Sequence, residues 1–375
     1  MPVKIFKEIS SVFLRLLGYI TLLFNLLLFL SYFTYLIPPD ESIIFSLLGL
    51  IYPILLIINI LLFIAWIIIS FWKFSKKIYI ISTVIVLITG YYHHSRFFQI
   101  TLFSAQPFKN DVQFNVLSYN VLNFGKGNNK KRDQIIDKIK KEDPGVICFQ
   151  EYYCYEKQMQ GMTPITKDEL GMEYYENFST LLKNGQSFGL AIYSKFPIIN
   201  KGNILFNNDH SNQCIYIDIL VSKDTFRIYN AHLGSIRFNH SEYETFGTNA
   251  HPIYPHQKKP PKQMLKRLNN GYEKRIPQIN RLIPIINRSP YPTIICTDLN
   301  DVPISYAYHC FDKYFTDAFT LSGNGMGGTY IGNIPGLRID YIWHSKKLKS
   351  THFKTHQEEF SDHKAISATI YKENK

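Results

Sequence analysis

The chain changes character near its hundredth residue. From Val12 to Leu36 almost every side chain is apolar, apart from Arg15, Asn25 and small hydroxyl residues. Pro38, Pro39, Asp40 and Glu41 then form an acidic turn. A second apolar run, residues 44–72, is broken only by Pro53 and Asn59, and a third, residues 78–92, follows Lys73, Lys76 and Lys77. The first two are long enough to cross a bilayer core of about 30 Å as helices. The third reaches only about 22 Å and needs snorkelling of Lys76 and Lys77, with Tyr79, Tyr91 and Tyr92 at the interfaces, to do the same. The pattern predicts a membrane anchor over residues 1–105 with three transmembrane helices at 12–36, 44–72 and 78–92. A buried hairpin in a soluble protein would leave two such long runs without partners, and a cleaved leader would be shorter and end in small residues.

After a polar linker, residues 106–112, the period changes. Phe114 and Val116 point one way and Asn115 and Leu117 the other, which predicts a strand ending at Asn120. A basic stretch follows with Ile135, Ile136 and Ile139 on one helical face, stopped by Asp143, Pro144 and Gly145. Further strands are predicted from Gly145 to Glu151, Phe188 to Ile198, Cys214 to Leu220, Phe226 to Leu233, across Thr293–Ile295, from Leu337 to Ser345, and from Ser361 onward. Ile276, Ile279, Ile283 and Ile286 have helical spacing; Pro277 suits a first turn, whereas Pro284 is expected to kink or end the helix. An irregular insertion is expected from Gly234 to about Gly271. Short alternating strands with few helices place residues 113–375 in the α/β class: two packed, mainly antiparallel sheets flanked by helices, a four-layer sandwich behind a transmembrane helical region.

Charge adds direction. The formal net charge is +12; residues 1–110 hold eight Lys/Arg against three Asp/Glu, +5, and the remainder carries +7. A basic domain suits a polyanion, an anionic membrane surface or a phosphorylated substrate. The acid-free segment His256–Arg267 reads either as a solvated loop or as a rim that contacts phosphates. Lys4, Lys7 and Arg15 precede the first apolar run, Lys73, Lys76 and Lys77 separate the second from the third, and no Lys or Arg lies between the first two. Cytoplasmic loops collect Lys and Arg, so three crossings put everything past about Arg96 outside the cytoplasm; an interfacial third run would put it inside. Of the five Cys, Cys148, Cys214 and Cys296 sit in apolar runs and no CxxC pair occurs, which favours buried thiols over disulfides or a zinc site.

Asn120, Glu151, Asn230, His232, Asp298, Asn300, Asp340, Asp362 and His363 each lie at or next to the end of a predicted strand. Singly, such residues are turn formers or caps. Together they supply metal ligands and acid–base groups from six separate strand ends. Glu151 and Asp362 are hard oxygen donors suited to Mg²⁺ or Mn²⁺. His363 can take a proton from water once a neighbouring carboxylate sets its tautomer. No Gly-rich phosphate loop and no Ser or Cys nucleophile motif is present. Three apolar runs without embedded acids do not make an ion path.

The motifs SYN (Ser118–Asn120), QE (Gln150–Glu151), NAHL (Asn230–Leu233), TDLN (Thr297–Asn300), RIDYI (Arg338–Ile342) and SDH (Ser361–His363), in this order, resemble the endonuclease/exonuclease/phosphatase superfamily with the deoxyribonuclease I-like fold. The resemblance covers about residues 112–372. It implies Glu151 as main metal ligand with Asn120 as companion and Asp362 as a metal-associated aspartate. It implies Asp298 and Asn300 as the pair that orients water and holds the scissile phosphate, His232 as the histidine that stabilises the phosphate or assists the leaving group, Asn230 among the catalytic residues, and Asp340–His363 as the acid–base pair. Thr297 stands where the family carries Gly, and Leu122 where some nucleases carry a metal-binding Asp. The apolar N-terminus, SYAYH (Ser305–His309) and GTY (Gly328–Tyr330) are similar to membrane-anchored bacterial members. The expectation is a magnesium-dependent hydrolase of phosphate esters in nucleic acid or a lipid head group. It would be integral to a bacterial inner membrane, with its catalytic domain outside the cytoplasm and no protein partner indicated. The rival reading is a catalytically inactive, membrane-tethered binding domain that keeps the fold; the intact set Glu151, Asp298, Asp340 and His363 argues against it.

Overall fold

The computed structural model describes residues 2–72, 77–101, 107–108, 111–122, 124, 129–155, 167–181, 186–206, 209–235, 261–331 and 336–373. Lys73, Lys76, parts of the 106–112 linker, His256 and the start of its basic segment, and the side chain of Cys154 lie outside the described residues. The chain divides into two compact units, Met1–Phe97 with Ile304–Tyr306, and Phe98–Pro303 with Ala307–Lys375.

The first unit holds α1 (Pro2–Ser31), α2 (Ile43–Trp72), α3 (Lys77–Thr89) and the single turn α4 (Tyr91–His94). By length and composition two segments could cross a membrane, Val12–Leu36 and Ile43–Phe71. The third apolar run is shorter than expected: α3 stops at Thr89, which limits it to about 20 Å. Polar side chains set the order of packing. Trp66 donates to Thr21 Oγ1 at 2.8 Å, Asn59 Nδ2 to the Phe24 carbonyl at 3.2 Å, and the Tyr32 and Tyr52 rings meet edge-on, so α2 runs antiparallel to α1. The Tyr79 ring fills the space beside Gly18, Asn25 donates to Ser82 and Thr83, and the Tyr32 hydroxyl donates to the Val86 carbonyl, so α3 runs parallel to α1. Among lipid-like side chains such hydrogen bonds, with a small residue at the contact, are what fix helix partners.

The second unit contains two six-stranded sheets. One has the order β13–β14–β2–β3–β5–β4, with β2 (Val112–Asn120), β3 (Val146–Tyr155), β4 (Tyr174–Leu181), β5 (Gln186–Ser194), β13 (Lys349–Thr355) and β14 (Ile366–Lys372). The other has the order β10–β12–β9–β8–β7–β6, with β6 (Ile198–Phe206), β7 (Asp209–Val221), β8 (Asp224–His232), β9 (Thr293–Asp298), β10 (Phe315–Asp317) and β12 (Asp340–Ser345). A separate ribbon pairs β1 (Phe98–Gln99) with β11 (Gly325–Met326). In each six-stranded sheet one central pair is parallel, β2 with β3 and β8 with β9, and the other pairings are antiparallel.

Period-2 alternation builds the layers. Val116, Cys148, Ile192, Ile217, Ile228, Ile294, Ile342 and Ile366 fill the space between the sheets. On the outside of the first sheet, Leu117, Ile147 and Tyr193 take the Ile135, Ile136 and Ile139 face of α5 (Asn129–Glu142). On the outside of the second, Tyr229, Ile295, Tyr341 and Trp343 take α6 (Pro261–Asn287) through Ile279, Leu282, Ile283 and Ile286, and α7 (Tyr306–Asp312) through Tyr308 and Phe311. A short helix, α8 (Ala318–Ser322), is capped by Asp317. The four-layer sandwich expected from the sequence is present. Cys148, Cys214 and Cys296 are buried free thiols.

Two helical expectations need correction. The helix continues through Pro284 to Asn287: the proline removes one backbone bond, but the buried apolar stripe on either side of it holds the axis. Its start at Pro261 also turns the last part of the expected irregular insertion into helix; residues 236–260 lie outside the described residues. The last strand begins at Ile366 rather than Ser361. Ile217, fully buried between the sheets, reports on the sandwich. Ile217→Ala is expected to cost about 2–5 kcal/mol, measured as a lower denaturant midpoint for the full chain in detergent; an unchanged midpoint would mean that this layer does not limit stability.

Candidate active site

Strand direction gathers the polar residues at one edge. Parallel neighbours finish at the same end, so β2 and β3 bring Asn120 opposite Gln150, and β8 and β9 bring His232 opposite Asp298. Antiparallel neighbours begin where those strands finish. β12 starts at Asp340, paired with Asp298, and β14 starts at Ile366, paired with Ser118, just after His363.

Glu151 is aimed by a bulge. The β3–β5 ladder shifts between Phe149 and Tyr152, and Glu151 sits there with φ 48°. A left-handed non-glycine residue is strained and persists only when its surroundings over-determine it. The opposite sheet supplies the restraint. Asn230 Nδ2 donates to the carbonyls of Phe149 (2.8 Å) and Ala191 (3.0 Å), which flank the bulge, and its Oδ1 accepts from Gln150 Nε2 at 2.7 Å. Gln150 also donates to the Ser118 hydroxyl at 3.0 Å. Asn230, expected among the catalytic residues, is fully buried and spends its whole amide on joining the sheets.

Asp298 is the hub. Its Oδ2 accepts from Asn120 Nδ2 at 2.8 Å and lies 3.6 Å from His232 Nε2 and 3.9 Å from His363 Nε2. Its Oδ1 accepts the backbone N–H of Asn300, which has φ 53°. The Asn300 amide donates to the Leu233 carbonyl at 3.0 Å, leaving its second N–H for a ligand. Asp340 Oδ2 accepts from His363 Nδ1 at 2.9 Å, which leaves Nε2 on the open side of the ring. Thr329 Oγ1, in the GTY motif, accepts from the backbone N–H groups of Ile339 and Asp340 and so holds the start of β12; Tyr330 stands edge-on to His363. Ser361 donates to the Asn120 carbonyl and pins the SDH loop across the end of β2. Asp362 is half-buried, and its carboxylate accepts from Ser361 at 3.3 Å. Leu122 donates its N–H to Asn120 Oδ1 and fills no ligand position.

Glu151, Asp298 and Asp340 are thus three buried carboxylates around two imidazoles. Burial, joined by Asp340, raises the pKa of Asp298, against the pull of His363, His232 and Asn120. Burial alone would depress His363, but the Asp340 and Asp298 carboxylates outweigh it and lift the imidazole to about 9. Donor atoms of Asp298, Asp340 and His363 lie within 4.8 Å of one another, and His232 Nε2, 3.9 Å from Glu151, has no hydrogen-bond partner although it is buried. Desolvated negative charge with an orphaned nitrogen is what a divalent cation relieves, so this donor set fits a hard metal ion.

A family model described as the Endonuclease/Exonuclease/phosphatase family matches residues 113–363, and one described as a Domain of unknown function (DUF8431) matches residues 13–97. No curated protein matches the chain. Among solved structures, an endonuclease/exonuclease/phosphatase family protein from Leptotrichia buccalis C-1013-b aligns over 68% of this chain and 98% of its own, at 17% identity and TM-score 0.50. The human Nocturnin catalytic domain with bound sulfate anion aligns over 72% of this chain and 96% of its own, at 18% identity and TM-score 0.50. At these identities the likeness is one of fold.

The raised imidazole gives a direct prediction. In metal-free protein His363 should titrate near pH 9 by histidine NMR. Because that lies above the ordinary 6.5, its contribution to stability is complete below pH 6.5 and is lost as the pH rises through 9. Asp340→Asn removes the principal opposing charge and should bring the titration down, as should saturation with Mg²⁺. A value that stays near 9 in both cases would place the source of the shift elsewhere.

Proposed function

The chain belongs to the endonuclease/exonuclease/phosphatase family, and from that membership we propose a membrane-tethered, magnesium-dependent hydrolase of phosphodiester or phosphomonoester bonds. Members of the family are metal-dependent nucleases and phosphatases, and this chain is a hydrolase of that class. The observation that carries the finer reading is the Asp340–His363 pair beside Asp298 and Glu151, buried at one edge of two sheets. Glu151 would hold Mg²⁺ or Mn²⁺, with Asn120 as its companion ligand and Asp362 as a metal-associated aspartate. When bound, the ion would polarise the phosphate and neutralise charge developing on it. Only the neutral form of His363, with its Nδ1–H held by Asp340, can accept at Nε2 a proton from water attacking in line, so turnover falls as His363 becomes protonated. Asp298 orients that water. The unused amide N–H of Asn300 and the Nε2 of His232 would donate to the phosphate oxygens. The basic domain suits nucleic acid, and the tether equally suits a lipid head group.

Sidedness rests on the helical unit. α3 runs parallel to α1 from the level of Gly18 to that of Tyr32, and the segment after α3 returns beside Tyr32 and Tyr52 at the end where α1 meets α2. That is the end opposite the starts of α1 and α3. The proposed sidedness takes α3 as a third crossing, with the catalytic domain outside the cytoplasm of a bacterial inner membrane; the Lys-rich segments of the sequence support it.

Three measurements bear on this. The full chain in detergent should hydrolyse at least one of plasmid DNA, single strands, RNA, sphingomyelin and phosphoinositides with Mg²⁺ and none with EDTA; a blank panel favours the inactive binding domain. Glu151→Gln should abolish most turnover with folding intact, and His363→Ala should cost about 10²–10⁴-fold; wild-type rates in both would refute these roles. A cysteine-free variant carrying Phe108→Cys should react with an impermeant maleimide in intact cells, whereas reaction only after lysis reverses the sidedness.

A further inference from the structure

Two polar side chains midway along α6 reach the segment that follows β8. Arg275 and Gln278 continue the buried stripe of Ile279 and Leu282 on the same helical face, and both are almost wholly buried. At their level the stripe passes the ends of β8 and β9. Gln278 Oε1 accepts the backbone N–H of Gly234 at 2.8 Å, and Arg275 Nη1 donates to the carbonyl of the same residue at 2.7 Å. A Cβ on Gly234 would meet Lys274, Arg275 and the Gly271 carbonyl at 3.0–3.1 Å, so the helix lies directly against this glycine. The other arm of the guanidinium, Nη2, forms an ion pair with Asp301 Oδ2 at 3.2 Å without hydrogen-bond geometry.

We propose that Arg275 and Gln278 are positioning residues, a clamp through which α6 holds the segment after His232 and the turn after Asn300 at the spacing that hydrolysis requires. Gly234 is two residues past His232, and Asp301 adjoins Asn300. The two segments are already stitched together, since Leu233 donates its N–H to the Asp298 carbonyl and accepts from the Asn300 amide. That stitch alone does not fix where the pair lies relative to the sheet. Asn300 is held in the left-handed region, which its neighbours must enforce. A buried guanidinium can hold one segment by a hydrogen bond and the other by charge; an ammonium cannot reach both in the same way. Displacement of a reacting group by about 1 Å is worth about 10²-fold in rate, so a small relaxation here is a kinetic event before it is a folding event.

The inference rests on the proposed hydrolase reading for its kinetic part only. The test uses the full chain in detergent, with Arg275→Met, Arg275→Lys and Gln278→Met. Hydrogen exchange of residues 232–235 and 299–302 should rise in Arg275→Met while the β2–β3 core keeps its protection. With bis(4-nitrophenyl) phosphate as probe, kcat should fall about 10- to 100-fold. Arg275→Lys, which keeps the charge on Asp301, should recover part of the loss. Adding Arg275→Met to Asn300→Ala should cost little beyond Asn300→Ala alone, because residues acting as a unit are not additive. Unchanged exchange in the two segments, or losses that multiply in the double variant, would overturn the clamp. If Arg275→Met does not fold, Gln278→Met and Arg275→Lys carry the same two readouts. A wild-type chain inactive on the probe would count against the hydrolase reading, while the exchange data would still decide the clamp.

Discussion

Everything at the reactive edge depends on one amide crossing between two sheets. Asn230 leaves β8, meets the bulge in β3 and satisfies two carbonyls there while accepting from Gln150. The apolar layer between the sheets has no directional preference, so hydrophobic burial alone would let the sheets slide. Hydrogen bonds buried in that layer have geometry, and leaving any of their groups unpaired would cost about 1–3 kcal/mol. They therefore set the register of one sheet on the other. Glu151 from the first sheet and His232 and Asp298 from the second face one another because of that register.

The second constraint is electrostatic. Three buried carboxylates, two imidazoles and one unpartnered His232 nitrogen form a group that is costly to assemble without a cation. Strain accompanies it: Glu151 and Asn300 both hold left-handed backbone at the ends of strands. Neither feature helps folding. Both are tolerated because the surrounding structure is stiff, from the inter-sheet amides on one side to the Arg338–Asp317 pair and the Tyr308, Tyr341 and Trp343 stack on the other.

Most of the central architecture was legible in the chain. Strands such as β8 and β9 announce themselves through β-branched runs that stop at polar residues, and α5 through three isoleucines at helical spacing. β4, β6 and β13 were not foreseen. All three are edge strands, with polar residues on an open face, so the alternation that marks a strand is diluted. Pro284 misled for a related reason: local propensity predicts a break, but the buried stripe of α6 outweighs one missing hydrogen bond.

By itself the sequence determined which residue types stand at strand ends, and so the chemistry available: hard oxygen donors, an acid–base histidine and amides, with no phosphate loop and no nucleophile motif. It also determined two runs apolar enough to need something other than water around them. Only the tertiary structure decided how those residues divide the work. Asn230 and Asn120 are alike in sequence context, yet one joins the sheets and the other contacts Asp298. Arg275 and Gln278 fall within the stretch whose isoleucine spacing predicts a helix, but nothing in the sequence ties their side chains to Gly234 until α6 brings them there. The physical reason is that a side chain's task is set by which unpaired groups lie within hydrogen-bond reach, and those come from segments far away in the chain.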